Sequence, residues 1–388
     1  MKYNIMAISD IHWGSINPKE QLESLEFVFT FIDEAFSNDL PIDLIVIVGD
    51  YFDAKLSLNG EDTIYGFNWF HRLHKVCKER RIKLRLVQGT MDHDNYQLEN
   101  LLGLQDDDGL FKIFLHSGIE ETLPDLLCCY CPDEVIETSE YEKKYMDMIL
   151  QVKDIGFFHG SFDIVYGDLL DYKPELAKKN NVMYNYKLWA GQIKGPLIAG
   201  HWHDGQQYEE LYYCGSPFRW TFNEDNPKGF LFLQYDTVDS SYYIEKIINP
   251  VCGMYLTYEV FTNAYHNKED YVKIINDVTE ILNQLTKIDK LRILVYINDT
   301  KSENDVFLSS LRQNIVGHKN CKITIKNKVK DKKKKEKIKE RKDVEDRFNF
   351  IYSKNDRSDI IREYIQVTSD NQEDVPIDFI KAKIKKYI

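Results

Sequence analysis

"IDLIVIVGDYFD", residues 42–53, is the stretch from which the fold can be read. Its aliphatic run, Leu44–Val48, is apolar on both alternating faces, which marks a strand buried on both sides. Gly49 and Asp50 follow at once, and Asp53 stands one turn further on. The expectation is a central strand of a sheet covered by helices on each side, with an acidic side chain delivered at its carboxyl end. Outward from there, "YNIMAIS" (residues 3–9) reads as a first strand. Leu22, Leu25, Phe29, Ile32 and Phe36 then recur at steps of three and four, one face of a helix. A helix through roughly 61–80 leads to a strand at "IKLRLV", and "KIFLH", "LLCCY", "DIGFFH", "PLIAG" and "ELYYCG" are further strand candidates. The fold class is α/β, with layers of strands and helices.

Residues 250–325 change character. "MYLTYEVF", "KLRILVYIND" and "CKITIKN" are strands, separated by helices at "KEDYVKIINDVTEILNQL" and "SENDVFLSSLRQNIV". This β-α-β-α-β order is enough for a small second domain. Beyond it, residues 319–342 carry thirteen Lys/Arg against three Asp/Glu, in a chain whose formal net charge is −13. Such a tract can supply phosphate contacts whatever the whole-chain charge, with Lys332, Lys333, Lys334, Lys335 and Lys337 as its densest part. A solvated linker or localisation tract would read the same way. Two short amphipathic segments follow, one with Ile360, Ile361 and Tyr364, the other with Phe379, Ile380 and Ile384. They either pack back on the small domain or dock on a partner. The expected boundaries are 1–248, 249–328, a basic linker 329–355, and a helix-loop-helix 356–388.

Several classes are excluded or disfavoured. The longest aliphatic run is "LIVIV", far short of the ~20 residues a membrane span needs. "MKYNIMAISD" turns polar too soon for a secretory signal, and seven cysteines without a framework spacing suit a reducing, cytoplasmic compartment. Cys128, Cys129 and Cys131 lie on alternating strand faces, so a buried strand is favoured over a zinc site. No ATP-binding P-loop is present.

Five strand-end motifs carry the chemistry: "SDIHWG" with Asp10 and His12, "VGDYFD" with Asp50 and Asp53, "GTMDHD" with Asp92, His93 and Asp94, "FFHG" with His159, and "AGHWHDG" with His201 and His203. Five of the ten histidines fall in them, in order, each after an apolar run. Side chains just past the carboxyl ends of strands converge on one crevice in an open α/β sheet. On extended backbone, residues i and i+2 of Asp-x-His and His-x-His would point the same way. Mixed carboxylate and imidazole donors without cysteine suit manganese, iron or zinc. Two such cations clamp the attacking and leaving oxygens of a phosphate ester, so phosphoester hydrolysis is the reaction class expected.

The motif set resembles that of the calcineurin-like metallophosphoesterases, D-x-H, G-D-x-x-D, G-N-H-D/E, H and G-H-x-H. Within them it resembles the SbcD branch, nuclease subunits of DNA repair and recombination complexes, and most of all the phage nucleases of that branch. "YYCGSPFRWTFNEDNPKGFLFL" is similar to that branch's Y-x-G-S/T-P segment followed by K/R-G-F. The resemblance implies a layered β-sandwich core flanked by helices, a small α+β capping domain and C-terminal helices binding a coiled-coil ABC ATPase of SbcC type. It implies exonuclease action on duplex DNA and endonuclease action on single strands or hairpins, in the cytoplasm (the host's, if the chain is viral).

Carried over, Asp10, His12, Asp50 and His203 would hold one cation, and Asp50, Asp92, His159 and His201 the other. The cations implied are manganese, with magnesium also compatible. His93 would protonate the leaving oxygen and Asp94 would orient His93. Asp92 replaces the family's Asn, so three carboxylates would face the two cations, giving tighter binding and weaker Lewis acidity; Asp92 pairing only with His93 is the rival alignment. A homodimer, giving a heterotetramer with the ATPase, is implied through "FNWFHRLHKVC" (67–77), although its apolar positions fit a core helix equally well. Two other functions compete: a phosphomonoesterase or cyclic-nucleotide phosphodiesterase on the same site, and a non-catalytic metal-binding scaffold.

Overall fold

A computed structural model describes residues 1–57, 59–105, 108–133, 146–166, 182–222, 224, 226–261, 268–285, 289–297, 302–318 and 321–327. The tract with Lys332–Lys335 and Lys337, and the segments with Ile360, Ile361, Tyr364, Phe379, Ile380 and Ile384, lie outside the described residues. The fold is mixed α/β. β1 (Lys2–Ile8), β2 (Leu44–Val48), β3 (Lys83–Val87) and β4 (Phe111–Phe114) run parallel, linked through α1 (Pro18–Ser37) and α2 (Glu61–Arg80). β5 (Gly118–Leu123), β6 (Leu126–Cys131), β7 (Ile155–His159), β8 (Ser161–Phe162), β9 (Val182–Tyr184), β10 (Leu197–Gly200), β11 (Gln207–Tyr208), β12 (Leu211–Tyr213), β13 (Gly229–Asp236) and β14 (Tyr242–Ile248) follow. One sheet has the order β14-β13-β1-β2-β3-β4, a second β11-β12-β10-β7-β6-β5, and β8 pairs with β9.

α1 begins where Asn17 accepts from the Lys19 amide, with Pro18 in its first turn, a pairing that satisfies one free N–H and tolerates the ring that lacks one. Its periodic face lands where the spacing requires: Leu25, Phe29 and Ile32 are buried, with Leu22 and Phe36 packed partly against the same core. α2 contributes Trp69, Phe70, Leu73 and Cys77 to that core. The apolar positions of 67–77 are therefore taken up inside this fold.

The second face of β2 corrects one expectation. Ile45 and Ile47 pack under the helices, but Leu44, Val46 and Val48 share a buried cluster with Leu126, Cys128 and Tyr130 of β6, Ile155 and Phe157 of β7, and Ile198 of β10. A sheet covers this side, not helices. A run of Leu, Ile and Val reads the same under either cover, because both exclude water equally. Phe114, Tyr130 and Phe157 stack in sequence through the layer, with centroids 4.1 and 5.4 Å apart. The first sheet is also mixed: β13 lies antiparallel to β1, with Ile5 opposite Leu233, and carries β14 on its outer side. Cys128, Cys129 and Cys131 are all buried, and none of the three is in a disulfide.

A third sheet has the order β15 (Tyr255–Phe261), β16 (Lys290–Ile297), β17 (Cys321–Asn327), with helices at Lys268–Gln284 and Ser302–Ile315 between its strands in the chain. The described chain divides into two compact units, one built mainly from Met1–Tyr258 with Val278–Arg292, the other from Glu259–Asp277 with Ile293–Val316. In the second, Ile274, Ile293, Val295, Phe307 and Leu311 are buried. Among the described residues no helix is long and apolar enough to cross a membrane.

Trp69 ties α2 to the strand-end loops, its ring lying 6.4 Å from Trp13, 6.3 Å from Tyr51 and 5.7 Å from Phe29. Trp69→Ala should cost about 3–5 kcal/mol, since a buried aromatic leaves a cavity its neighbours fill only in part. Urea unfolding should show a lowered midpoint with an unchanged slope.

Candidate metal centre

The loops after β1, β2 and β3 meet those after β7 and β10. The β1 loop is stitched to the β2 loop by backbone bonds: the Asp10, His12 and Trp13 amides donate to the Gly49, Asp50 and Tyr51 carbonyls at 3.1, 3.0 and 2.9 Å. These bonds force an unexpected backbone. Asp10, His12 and Asp50 have φ of 52°, 48° and 49°, and His201 has 93°. Asp10 and His12 therefore project together from a left-handed turn and not, as the i, i+2 argument supposed, from an extended chain. Each such non-glycine residue costs of order 1–3 kcal/mol and persists only where its surroundings over-determine it.

Three overlapping groups result: Asp10 with His12 and His203, His12 with Asp50 and His93, and Asp50 with His159 and His201. Within each, the donor atoms lie within 4.8 Å of one another. Asp10, His12, Asp50 and His159 are buried. The imidazoles share an orientation. His159 Nδ1–H donates to the Val48 carbonyl at 2.8 Å, His12 Nδ1 lies 3.5 Å from Asp53 Oδ1, His203 Nδ1 lies 3.4 Å from Glu224 Oε1, and His93 Nδ1 meets the Asp53 carbonyl. The Nε2 atoms of these four are turned toward a carboxylate: His159 at 3.2, His12 at 3.6 and His93 at 4.0 Å from Asp50, and His203 at 4.0 Å from Asp10. Where Nδ1 is hydrogen-bonded to a carbonyl, as in His159 and His93, the imidazole presents an Nε2 lone pair, the tautomer a metal ligand needs.

Buried polar atoms normally find partners, yet both ring nitrogens of His12 and Nε2 of His159 have no hydrogen bond although shielded from water. These buried Asp/His groups are positioned to hold a metal ion. The electrostatics agree. Burial would raise the Asp50 pKa, but the charges of His159, His12 and His93 outweigh it and hold the carboxyl far below the usual range. Burial would lower His159, and Asp50 outweighs that to raise it. His201 is pushed down to about 4, by burial first and then by His159.

"GTMDHD" departs from expectation. The His93 and Asp94 amides both donate to the Thr90 carbonyl, at 3.1 and 2.9 Å, so this loop curls through one tight turn. His93 and Asp94 face inward; Asp92 is exposed and belongs to none of the groups. Only two carboxylates, Asp10 and Asp50, stand in them. Asp94 is buried and does not orient His93. Its oxygens accept from the Phe52 and Gly89 amides at 2.9 and 2.6 Å, tying the β2 and β3 loops together. Burial and then Asp50 push its pKa up, against those amides. The Asp53 carbonyl takes the role assigned to Asp94.

Other residues were not legible as site residues. Thr90, directly after Gly89, donates its amide and hydroxyl to Asp50 Oδ1 at 2.7 and 3.0 Å. Trp220 packs its ring against His12 and His203, with centroids at 4.7 and 4.6 Å. Glu224 and Lys228 lie behind His203. Their signal, the polar run inside "PFRWTFNEDNPKGF", could be noticed but not assigned. Two glycines are required sterically. At Gly49, with φ 80°, a side chain would enter the His159 ring, and at Gly89 it would meet the Asp50 amide and carboxylate. No protein-family model matches the chain, and no curated protein matches it.

Gly89→Ala must push Asp50 aside and should weaken divalent-cation binding at least ~tenfold in a calorimetric titration, a loss typical of disturbing the residues that support a ligand. Asp92→Asn should stay within about twofold of the parent in the same titration, because its carboxylate stands outside the groups.

Proposed function

We propose that this protein is a two-metal-ion phosphodiester hydrolase acting on DNA, the nuclease subunit of an SbcCD-like repair or recombination complex. In this reading the two six-stranded sheets are a metallophosphoesterase β-sandwich, residues 249–328 are the small α+β domain of that family, and the C-terminal segment binds a coiled-coil ABC ATPase, with a homodimer at the centre of the assembly. One observation carries the proposal: seven side chains from five strand ends, Asp10, His12, Asp50, His93, His159, His201 and His203, form linked groups in which Asp50 is shared. A carboxylate common to two groups of imidazoles suits a pair of cations, held by Asp10, His12, Asp50 and His203 and by Asp50, His159 and His201. Manganese or magnesium bound there would neutralise phosphoryl oxygens and activate water as a nucleophile.

The remaining work falls to the chain's own residues. Asp50 is oriented by Thr90, so its second oxygen faces His12 and His93. His93 keeps about a third of its side chain exposed, 32%, against none for His12 or His159. It can therefore reach a substrate. With Nδ1–H held by the Asp53 carbonyl, its protonated ring donates Nε2–H to the departing oxygen and is left as the neutral Nδ1–H tautomer. The local excess of thirteen Lys/Arg over three Asp/Glu in residues 319–342 favours a polyanionic substrate over a small ester.

Linear duplex and hairpin DNA should be cleaved with manganese, and His93→Asn should slow cleavage by ~10²–10⁴-fold, the usual worth of a general acid. DNA affinity should fall at least ~tenfold between about 50 and 200 mM salt. Cleavage of a chromogenic phosphodiester with DNA left intact would replace the proposal with a small-ester phosphodiesterase. Bound metal with neither substrate cleaved would replace it with a scaffold.

A further inference from the structure

Trp220, Glu224 and Lys228 lie beside one lobe of the centre, and the last two place a buried ion pair behind a single histidine. Glu224 and Lys228 are 7% and 1% exposed. Glu224 Oε1 lies 3.4 Å from His203 Nδ1, and Oε2 lies 3.2 Å from Lys228 Nζ. Lys228 Nζ also donates to the His203 carbonyl at 2.9 Å and reaches Asp204 Oδ1 at 3.2 Å. The carboxylate is fixed from its own loop as well, by the Trp220 amide at 3.4 Å and the Thr221 hydroxyl at 3.3 Å. Burying an ammonium and a carboxylate costs more than an apolar pair of the same volume would. Stability alone is a poor reason for this arrangement, and its aim is specific: both charges converge on His203, ring and backbone.

We propose that Glu224, locked by Lys228, is the positioning residue that selects the tautomer of His203, accepting Nδ1–H so that Nε2 is left as the cation-binding lone pair. The inference rests on the metal-centre reading and extends it to a segment outside the five motifs. Trp220 completes the clamp by packing on His12 and His203 together. Among the described residues no such carboxylate holds Nδ1 of His159, whose Nδ1–H donates to the Val48 carbonyl. Loss of Glu224 should therefore weaken the Asp10/His12/His203 lobe and leave the Asp50/His159/His201 lobe intact.

Glutamine at 224 keeps the shape but can turn its amide N–H toward Nδ1 and favour the opposite tautomer. Manganese titration by calorimetry and electron paramagnetic resonance should show two sites in the parent and, in Glu224→Gln, one of them weakened about 10–100-fold. Histidine side-chain nitrogen NMR should show Nδ1–H at His203 in the parent and Nε2–H or a mixture in the variant. The Glu224→Gln/Lys228→Met double variant removes the buried charges together and supplies the test if the single variant misfolds. In a His203→Ala background, Glu224→Gln should have no further effect on affinity; a purely structural role would still lower it. Two full-affinity sites in Glu224→Gln, or an unchanged His203 tautomer, overturn the relay and leave the centre standing. A parent that binds no divalent cation overturns the centre and the relay with it.

Discussion

Asp50 is the constraint on which the site depends. It ends a strand buried on both faces, takes a left-handed backbone angle, and is 2% exposed among three imidazoles. A carboxylate so placed is tolerable only if its charge is answered, and each neighbouring element answers it. Thr90 donates twice to one oxygen, and His93 from the same loop faces the carboxylate together with His12 and His159 from two others. Gly49 and Gly89 are bare because the space beside them is already filled by His159 and by Asp50. The packing that buries β2 between helices and a second sheet thus also strips water from the group that most needs a cation.

This arrangement makes the centre dear in stability. Four of its residues sit at positive φ, and two histidines keep buried nitrogens without partners. Strain and unsatisfied polar groups of this kind cluster where function over-determines the structure. The compensation lies in the surrounding layers, in Trp13, Trp69 and Tyr51 under the β1 and β2 loops and in the Phe114–Tyr130–Phe157 stack between the sheets. The C-terminal half of the first unit contributes too. β13 pairs beside β1 and the loop before it presses Trp220 onto two of the histidines, so the centre is closed by chain some two hundred residues from where it starts.

Much of this was legible in one dimension, for definite reasons. Strands such as Leu44–Val48 and Leu197–Gly200 are short apolar runs that admit little else, and the α1 face follows from a 3.6-residue period. Asp10, His12, Asp50, His159, His201 and His203 could be picked out because each directly follows such a run. β5, β13 and β14 were not picked out. β14, "YYIEKII", has no clean alternation because neither of its faces is fully covered. Asp92 was misplaced because a string of residue types does not reveal a tight turn at Thr90, and that turn decides which of three adjacent polar side chains faces inward.

Residue order alone therefore settled the α/β class, the run of strands and helices, and the kind of donor that stands at each strand end, since these follow from local periodicity and from chemistry that travels with the residue. Contact between distant segments settled the rest: the sheet on the second face of β2, the left-handed turns at Asp10 and His12, Asp94 as a tie between two loops, and Glu224 behind His203. None of those has a local signature. Each depends on which backbone amide or ring comes within about 3–4 Å of a side chain, a distance that exists only once the two sheets have packed.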